Sequence, residues 1–137
     1  MANLHRVVLP VMHIDRIAAM YAELLESAGE RISPGVHYFD CGGPILALYD
    51  QIADGVGWPH DRGNGDQFVQ TAISVPELDW VYWRAQELGF ERFSALRRDP
   101  IYGERSCCLR DPCGNLIEFI EEHTAFRGDG VFRPATG

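Results

Sequence analysis

The chain repeats itself at an offset of 64 residues, and that duplication constrains the possible folds more than any other feature of the sequence. The segment RVVLPVMHIDRIAAMYAELL (Arg6 to Leu25) is echoed by QTAISVPELDWVYWRAQELG (Gln70 to Gly89). Leu9 falls on Ile73, Val11 on Val75, Ile14 on Leu78, Asp15 on Asp79 and Leu24 on Leu88. Further on the register slips by seven residues, so that Asp40, Gly43, Leu46 and Leu48 fall on Asp111, Gly114, Ile117 and Phe119. Two copies make a paired module and not a solenoid, which needs at least three. Each copy, at roughly 60 residues, would be marginal alone. The 137 residues together, 46% of them hydrophobic, can bury one sizeable shared core.

Both copies change from strand to helix periodicity. From Leu4 to Met12, Val7, Leu9 and Val11 alternate with Arg6, Val8 and Pro10, as on the two faces of a strand. Ile14, Ile17, Ala18, Tyr21, Leu24 and Leu25 then form the apolar stripe of an amphipathic helix, with Gly29 as the expected stop. Short apolar runs at Glu30 to Ser33, Val36 to Asp40 and Ile45 to Tyr49 are separated by Pro34-Gly35 and Gly42-Gly43-Pro44, and so read as strands joined by turns. The second copy repeats the plan with a strand from Gln67 to Val75, a helix from about Glu77 to Leu88 stopped by Gly89, and strands near Phe90 to Leu96, Glu104 to Arg110 and Leu116 to Glu121. Residues 50–66, with four Gly, one Pro and four Asp, read as a linker that could flap over a cleft. The expected organisation is an α+β chain with one βαβββ module over 1–49, the linker over 50–66, a second module over 67–122 and an irregular tail over 123–137.

A formal charge of −8 and scattered Arg residues exclude a nucleic-acid partner, whose phosphates need clustered cations. No run of about 18 apolar residues and no basic-then-apolar leader is visible, so no membrane span or secretory signal is expected and the default location is cytoplasmic. Cys41, Cys107, Cys108 and Cys113 show no C-x-x-C spacing. A zinc cluster of Cys108, Cys113 and a histidine would lack the closely paired ligands of structural sites, so free and mostly buried thiols are expected. No Cys is tied to a particular His, and no nucleophile constellation is evident.

The strand-to-helix openings V-M-H-I-D-R-I-A-A-M-Y and V-P-E-L-D, with the closing D-P-C-G-N-L-I-E-F, resemble the vicinal oxygen chelate superfamily. That group includes glyoxalases, bleomycin-resistance proteins, fosfomycin-resistance transferases and extradiol dioxygenases. The resemblance runs from about Leu4 to Glu122, and the last phrase looks like the family's D-P-x-G-N-x-x-E signature. It implies two βαβββ modules whose curved sheets enclose a cleft, with metal ligands at set strand positions. Matched one by one, those positions are Arg6, Ala47, Gln70 and Glu118. Only Glu118 is a good hard ligand; an amide oxygen is poor, Ala has no donor, and Arg is a permanent cation that repels a metal. The expectation is therefore no cofactor. The alternative is a divalent metal ion on His5, Gln70 and Glu118, which requires a bulge to turn His5 inward in place of Arg6.

If Arg6 and Glu118 both face the cleft, their ion pair would fill the vacant metal site, with Arg6 exchangeable for a ligand's anionic group. Gln70, Tyr102 and Trp58, the last a lid from the linker, are further ligand-binding candidates. Of His37 and Tyr38 only one can share the cleft face. His13 suits a helix start better than catalysis, and Trp80 and Trp83 mark either a subunit contact or a face covered by linker or tail. The expected protein is a homodimer that binds a small organic molecule in the bleomycin-resistance manner, without metal. The rivals are a metal-dependent lyase, isomerase or dioxygenase, a metal-free enzyme with Glu118 as general base, and a silent assembly module.

Overall fold

The computed structural model describes residues 2–55, 69–101, 103–122, 124–126 and 132–134. The chain divides into two units, Met1–Asp66 and Gln67–Gly137, each with a mixed sheet and one helix.

The first unit contains β1 (Arg6–Pro10), α1 (Ile14–Leu25), β2 (Glu30–Ser33), β3 (Val36–Asp40) and β4 (Ile45–Tyr49). Its sheet has the order β1-β4-β3-β2, with β1 parallel to β4 and the other pairs antiparallel. The predicted alternation places Leu9, Val11, Leu46, Leu48 and Phe39 in a core against Ile14, Ile17, Tyr21 and Leu24 of α1, all buried. His13 stands at the helix start in the left-handed region (φ 55) and gives no side-chain cap. The first amide is met from far along the chain, since Ile14 N–H donates to Asp50 Oδ2 (3.4 Å).

The helix stops at Glu26 (φ 52), whose N–H reaches back to Ala22 and Glu23, and not at Gly29 as the sequence predicted. Gly29 (φ +66) serves a close approach instead: a Cβ there would lie 2.5 Å from the Tyr38 carbonyl oxygen.

The second unit contains β5 (Thr71–Val75), α2 (Leu78–Leu88), β6 (Glu91–Arg92), β7 (Arg97–Arg98), β8 (Arg105–Arg110) and β9 (Leu116–Glu121). Its sheet has the order β5-β9-β8-β6, with β7 also paired to β8. Gly89 (φ 114) ends α2 as predicted. The single strand expected near Phe90 to Leu96 is two short ones. The amides of Phe93 and Ser94 both donate to the Cys108 carbonyl at 3.0 Å, which breaks the ladder between β6 and β7. The tail is not wholly irregular either: β10 (Thr124–Phe126) pairs antiparallel with β11 (Phe132–Pro134). Strands of three residues are too short for alternation to register.

The duplication extends to strand pairing. Val8 lies opposite Ala47, and its counterpart Ala72 lies opposite Glu118. Ala47 and Glu118 are thus equivalent positions in the two sheets.

Candidate functional site

In the first unit the face turned away from α1 carries Arg6, Val8 and Pro10 of β1, Ile45, Ala47 and Tyr49 of β4, and Val36, Tyr38 and Asp40 of β3. Register fixes this: β1 pairs with β4 without a break from Arg6 to Pro10, so no bulge exchanges His5 for Arg6 along that strand. His5, exposed and just before β1, binds the sheet through its carbonyl, which accepts from Ile45 N–H (3.1 Å). Of the neighbouring pair in β3, Tyr38 is the one that shares the face of Arg6. His37 is turned to the helix side, where its ring nitrogens meet Arg31 Nε (3.2 Å) and the Ala28 carbonyl (2.9 Å).

Arg6 is exposed, and its partners in this unit are aromatic and neutral. Nη1 donates to the Tyr38 hydroxyl (2.9 Å), and the guanidinium carbon lies 5.9 Å from the centre of the Tyr49 ring, within cation–π range. Among the described residues of its unit it has no carboxylate within ion-pair distance. Burial raises the Tyr49 phenol above its ordinary value; a hydrogen bond with Tyr38 and the charge on that neighbour add to the shift, and the Arg6 cation opposes it. Arg6, Tyr38 and Tyr49 therefore form one linked cluster.

Two cavities adjoin this cluster, and Tyr38 lines both. One of about 470 Å³ is lined also by Glu30, Asp40 and Ile45. The other, about 290 Å³, is walled by Ile32, Val36, Tyr38 and Tyr49, with Gln51 at the end of β4. Its rim is held by Asp54, which accepts from Gly35 N–H (2.6 Å) and Ser33 Oγ (3.0 Å), and by Asp50, which accepts from Ala53 N–H (3.1 Å). Gln51 Oε1 is buried and has no hydrogen-bond partner among the described residues. Tyr49 and Gln51 were not singled out from sequence, although Tyr49 lies two residues beyond Ala47 and so shares its face.

In the second unit, Glu118 is half-buried and lies opposite Ala72 and Cys108. The Glu104 carboxyl is pushed up by burial first, then by the charges of Glu118 and Asp99. Gln70 uses both of its side-chain polar atoms within the protein. Its Nε2 donates to Asn115 Oδ1 (3.0 Å), and its Oε1 accepts from Leu116 N–H (3.0 Å). It thereby clamps the signature turn, in which buried Asp111 accepts from Cys113 N–H (2.9 Å), Asn115 N–H (2.9 Å) and Asn115 Nδ2 (2.8 Å).

The positions that would hold a metal in the resembling family fit one poorly. Ala47 has no donor, Arg6 is a cation, and the Gln70 oxygen already accepts a backbone amide. Among the described residues no group of three or more His, Cys, Asp or Glu side chains is placed to hold an ion. Trp58 and Tyr102 lie outside the described residues. Trp80 and Trp83 are both exposed on α2. No helix among the described residues is long and apolar enough to cross a membrane.

A family model described as the Glyoxalase/Bleomycin resistance protein/Dioxygenase superfamily matches residues 3–119. A search of curated proteins finds no match. Among solved structures, a glyoxalase-related enzyme from Fulvimarina pelagi aligns with a TM-score of 0.72 at 18% identity, covering 99% of this chain and 100% of that one. Lactoylglutathione lyase from Agrobacterium tumefaciens aligns with a TM-score of 0.62 at 21% identity, over 88% of this chain and 94% of that one. TioX from Micromonospora sp. ML1 aligns at 0.59 and 20% identity, over 88% and 99%. At such identities the likeness to these structures is one of fold.

Proposed function

Since the chain belongs to the Glyoxalase/Bleomycin resistance protein/Dioxygenase superfamily, we propose that it binds a small anionic organic molecule through Arg6, without a metal. The observation that carries this reading is the guanidinium itself. It stands exposed on the face of the first sheet turned away from α1, bonded to a neutral phenol and, among the described residues of its unit, to no carboxylate. A carboxylate reaching it would exchange a neutral acceptor for a charged one, and charge-assisted hydrogen bonds are roughly twice as strong as neutral ones. The adjoining aromatic-walled cavity would take the ligand's apolar body. Isothermal titration of arylacetates tests this directly: Arg6→Gln should weaken binding by about 10-fold or more. Arylacetates that bind the parent and Arg6→Gln alike would remove Arg6 from the site.

A homodimer built on Trp80 and Trp83 and a cytoplasmic location belong to the same proposal. The four free thiols fit a reducing compartment. Sedimentation of the parent against Trp83→Glu would check the dimer. Elemental analysis of untagged protein checks the metal. Stoichiometric Fe, Zn, Mn or Ni that disappears in Glu118→Ala would establish the metal-dependent enzyme instead.

One observation favours an acid–base enzyme as the second reading. Burial first, and then the charges of Glu118 and Asp99, make Glu104 hold its proton to higher pH than an ordinary carboxyl. In that case Glu118 would serve as the general base, and turnover of a bound ligand would be lost in Glu118→Gln while binding persisted.

A further inference from the structure

Tyr38 stands on the face of the first sheet turned away from α1, and it is half-buried. It is the residue common to the cavities of about 470 Å³ and about 290 Å³, and its hydroxyl oxygen lies 2.9 Å from Arg6 Nη1. The direction of that bond matters. A guanidinium can only donate, so the phenol oxygen accepts and the Tyr38 O–H proton is left for another partner. Tyr49 does not take it, because the bond between the two phenols favours protonated Tyr49 and so makes Tyr49 the donor of that pair. The carboxylates around the cavities are engaged elsewhere. Asp54 holds Gly35 and Ser33, Asp50 holds Ala53 and Ile14, and Asp40 Oδ1 accepts from Gly42 N–H (2.9 Å).

We infer that Tyr38 is a ligand-binding residue of the anion site, donating its O–H to the same carboxylate that Arg6 binds. This rests on the proposed role of Arg6 and defines the site as two donors of different kinds, one charged and one neutral. Nη1 and the phenol oxygen are 2.9 Å apart, so a carboxylate oxygen seated on the guanidinium is also within hydrogen-bond reach of the Tyr38 hydroxyl. The bonds that Tyr38 accepts polarise its own O–H and strengthen what it donates. The ligand class is a carboxylate, whose oxygens accept and never donate, carrying an apolar body small enough for the cavity walled by Ile32, Val36, Tyr38 and Tyr49.

Isothermal titration of phenylacetate against the parent, Arg6→Gln, Tyr38→Phe and the double variant tests the inference. Tyr38→Phe keeps the ring and removes only the hydroxyl. It should bind phenylacetate about 10-fold more weakly than the parent, as expected for a lost hydrogen bond to a charged group. The double variant should be weaker than Arg6→Gln by a similar factor, because Tyr38 contributes a bond of its own. If Tyr38→Phe binds as tightly as the parent or more tightly, the phenol only competes for Arg6 and the inference is overturned. If the substitution costs affinity in the parent but nothing in Arg6→Gln, Tyr38 acts by placing the guanidinium, which overturns the inference while the anion site stands. If Arg6→Gln binds as the parent does and Tyr38→Phe still weakens binding, the reading of Arg6 fails and the donor role of Tyr38 stands. If phenylacetate does not bind the parent, both fail.

Discussion

Gln70 and Asn115 are joined side chain to side chain, Nε2 to Oδ1 at 3.0 Å, across 45 residues of sequence. The bond ties the approach to β5 to the signature turn before β9, and Gln70 Oε1 completes it by accepting from Leu116 N–H. Leu116 is fully buried, so without Gln70 its N–H has no water to fall back on. Gln70→Ala should therefore destabilise the protein by about 1–3 kcal/mol, the usual cost of an orphaned buried polar group. Gln70→Glu should fall between the two, because it keeps an acceptor for Leu116 but sets an oxygen against Asn115 Oδ1. Urea unfolding midpoints check both. A Gln70→Ala protein as stable as the parent would return this residue to the list of ligand contacts.

Arg105 sits between Asp79 of α2 (2.9 Å) and Glu121 of β9 (3.3 Å), pinning helix to sheet in the second unit. The Arg105 hydrogen bond holds the Asp79 carboxyl below its usual 3.8. A depressed carboxylate contributes stability above its unfolded pKa and loses it as pH falls through the folded one. Arg105→Gln should thus be less stable than the parent by about 0.5–2 kcal/mol at neutral pH, a modest figure because Asp79 is largely exposed. The gap should narrow below about pH 4. Thermal melts of both proteins from pH 7 to pH 3 would reveal it, and a constant gap would show that packing rather than charge is responsible.

Alternation and the duplication were enough to read the two βαβββ modules, the helix-side core and the side of β1 on which Arg6 lies. They sufficed because one-sided burial is a local pattern, repeated every two or 3.6 residues. The role of Gln70 was beyond that reach. Counting back from Val75 places Gln70 like Arg6, yet nothing local says that its amide turns onto Asn115, which is 45 residues away in sequence. Gly29 was misread for a related reason: a glycine after a helix signals a stop, but here the Tyr38 carbonyl pressing on it is the stronger demand.

The cysteines should divide by accessibility. Burial pushes the Cys107 thiol up to about 12, with Cys108 and Glu118 adding to the shift, and Cys108 is raised by burial as well. Thiolate is the reactive form, so a disulfide-exchange reagent at pH 8 should label exposed Cys41 and half-buried Cys113 but spare the other two until denaturant is added. Burial also raises Cys41, which should slow its labelling relative to a free thiol. Mass spectrometry of the labelled native protein gives the count, and modification of Cys107 without unfolding would contradict its place in the core.

Tyrosinate titration probes the cluster at the site from within. Tyr49 is raised above 10 by burial and by Tyr38, whereas Arg6 pulls it down. Tyr38→Phe removes the hydroxyl that stabilises the protonated Tyr49, so the Tyr49 titration should move to lower pH. Arg6→Gln removes the cation that stabilises the tyrosinate, so it should move higher. A phenol whose folded pKa is raised contributes stability below its unfolded value near 10, and that contribution is lost as pH climbs through the folded value. The parent should therefore weaken over that alkaline window, and Tyr38→Phe should show a smaller alkaline loss. Ultraviolet difference spectra of the parent and the two variants between pH 8 and pH 12 would resolve the opposite shifts. Shifts of the same sign in both variants would mean that Arg6 and Tyr38 do not act on Tyr49 separately, and the linked cluster on which the anion site depends would have to be redrawn.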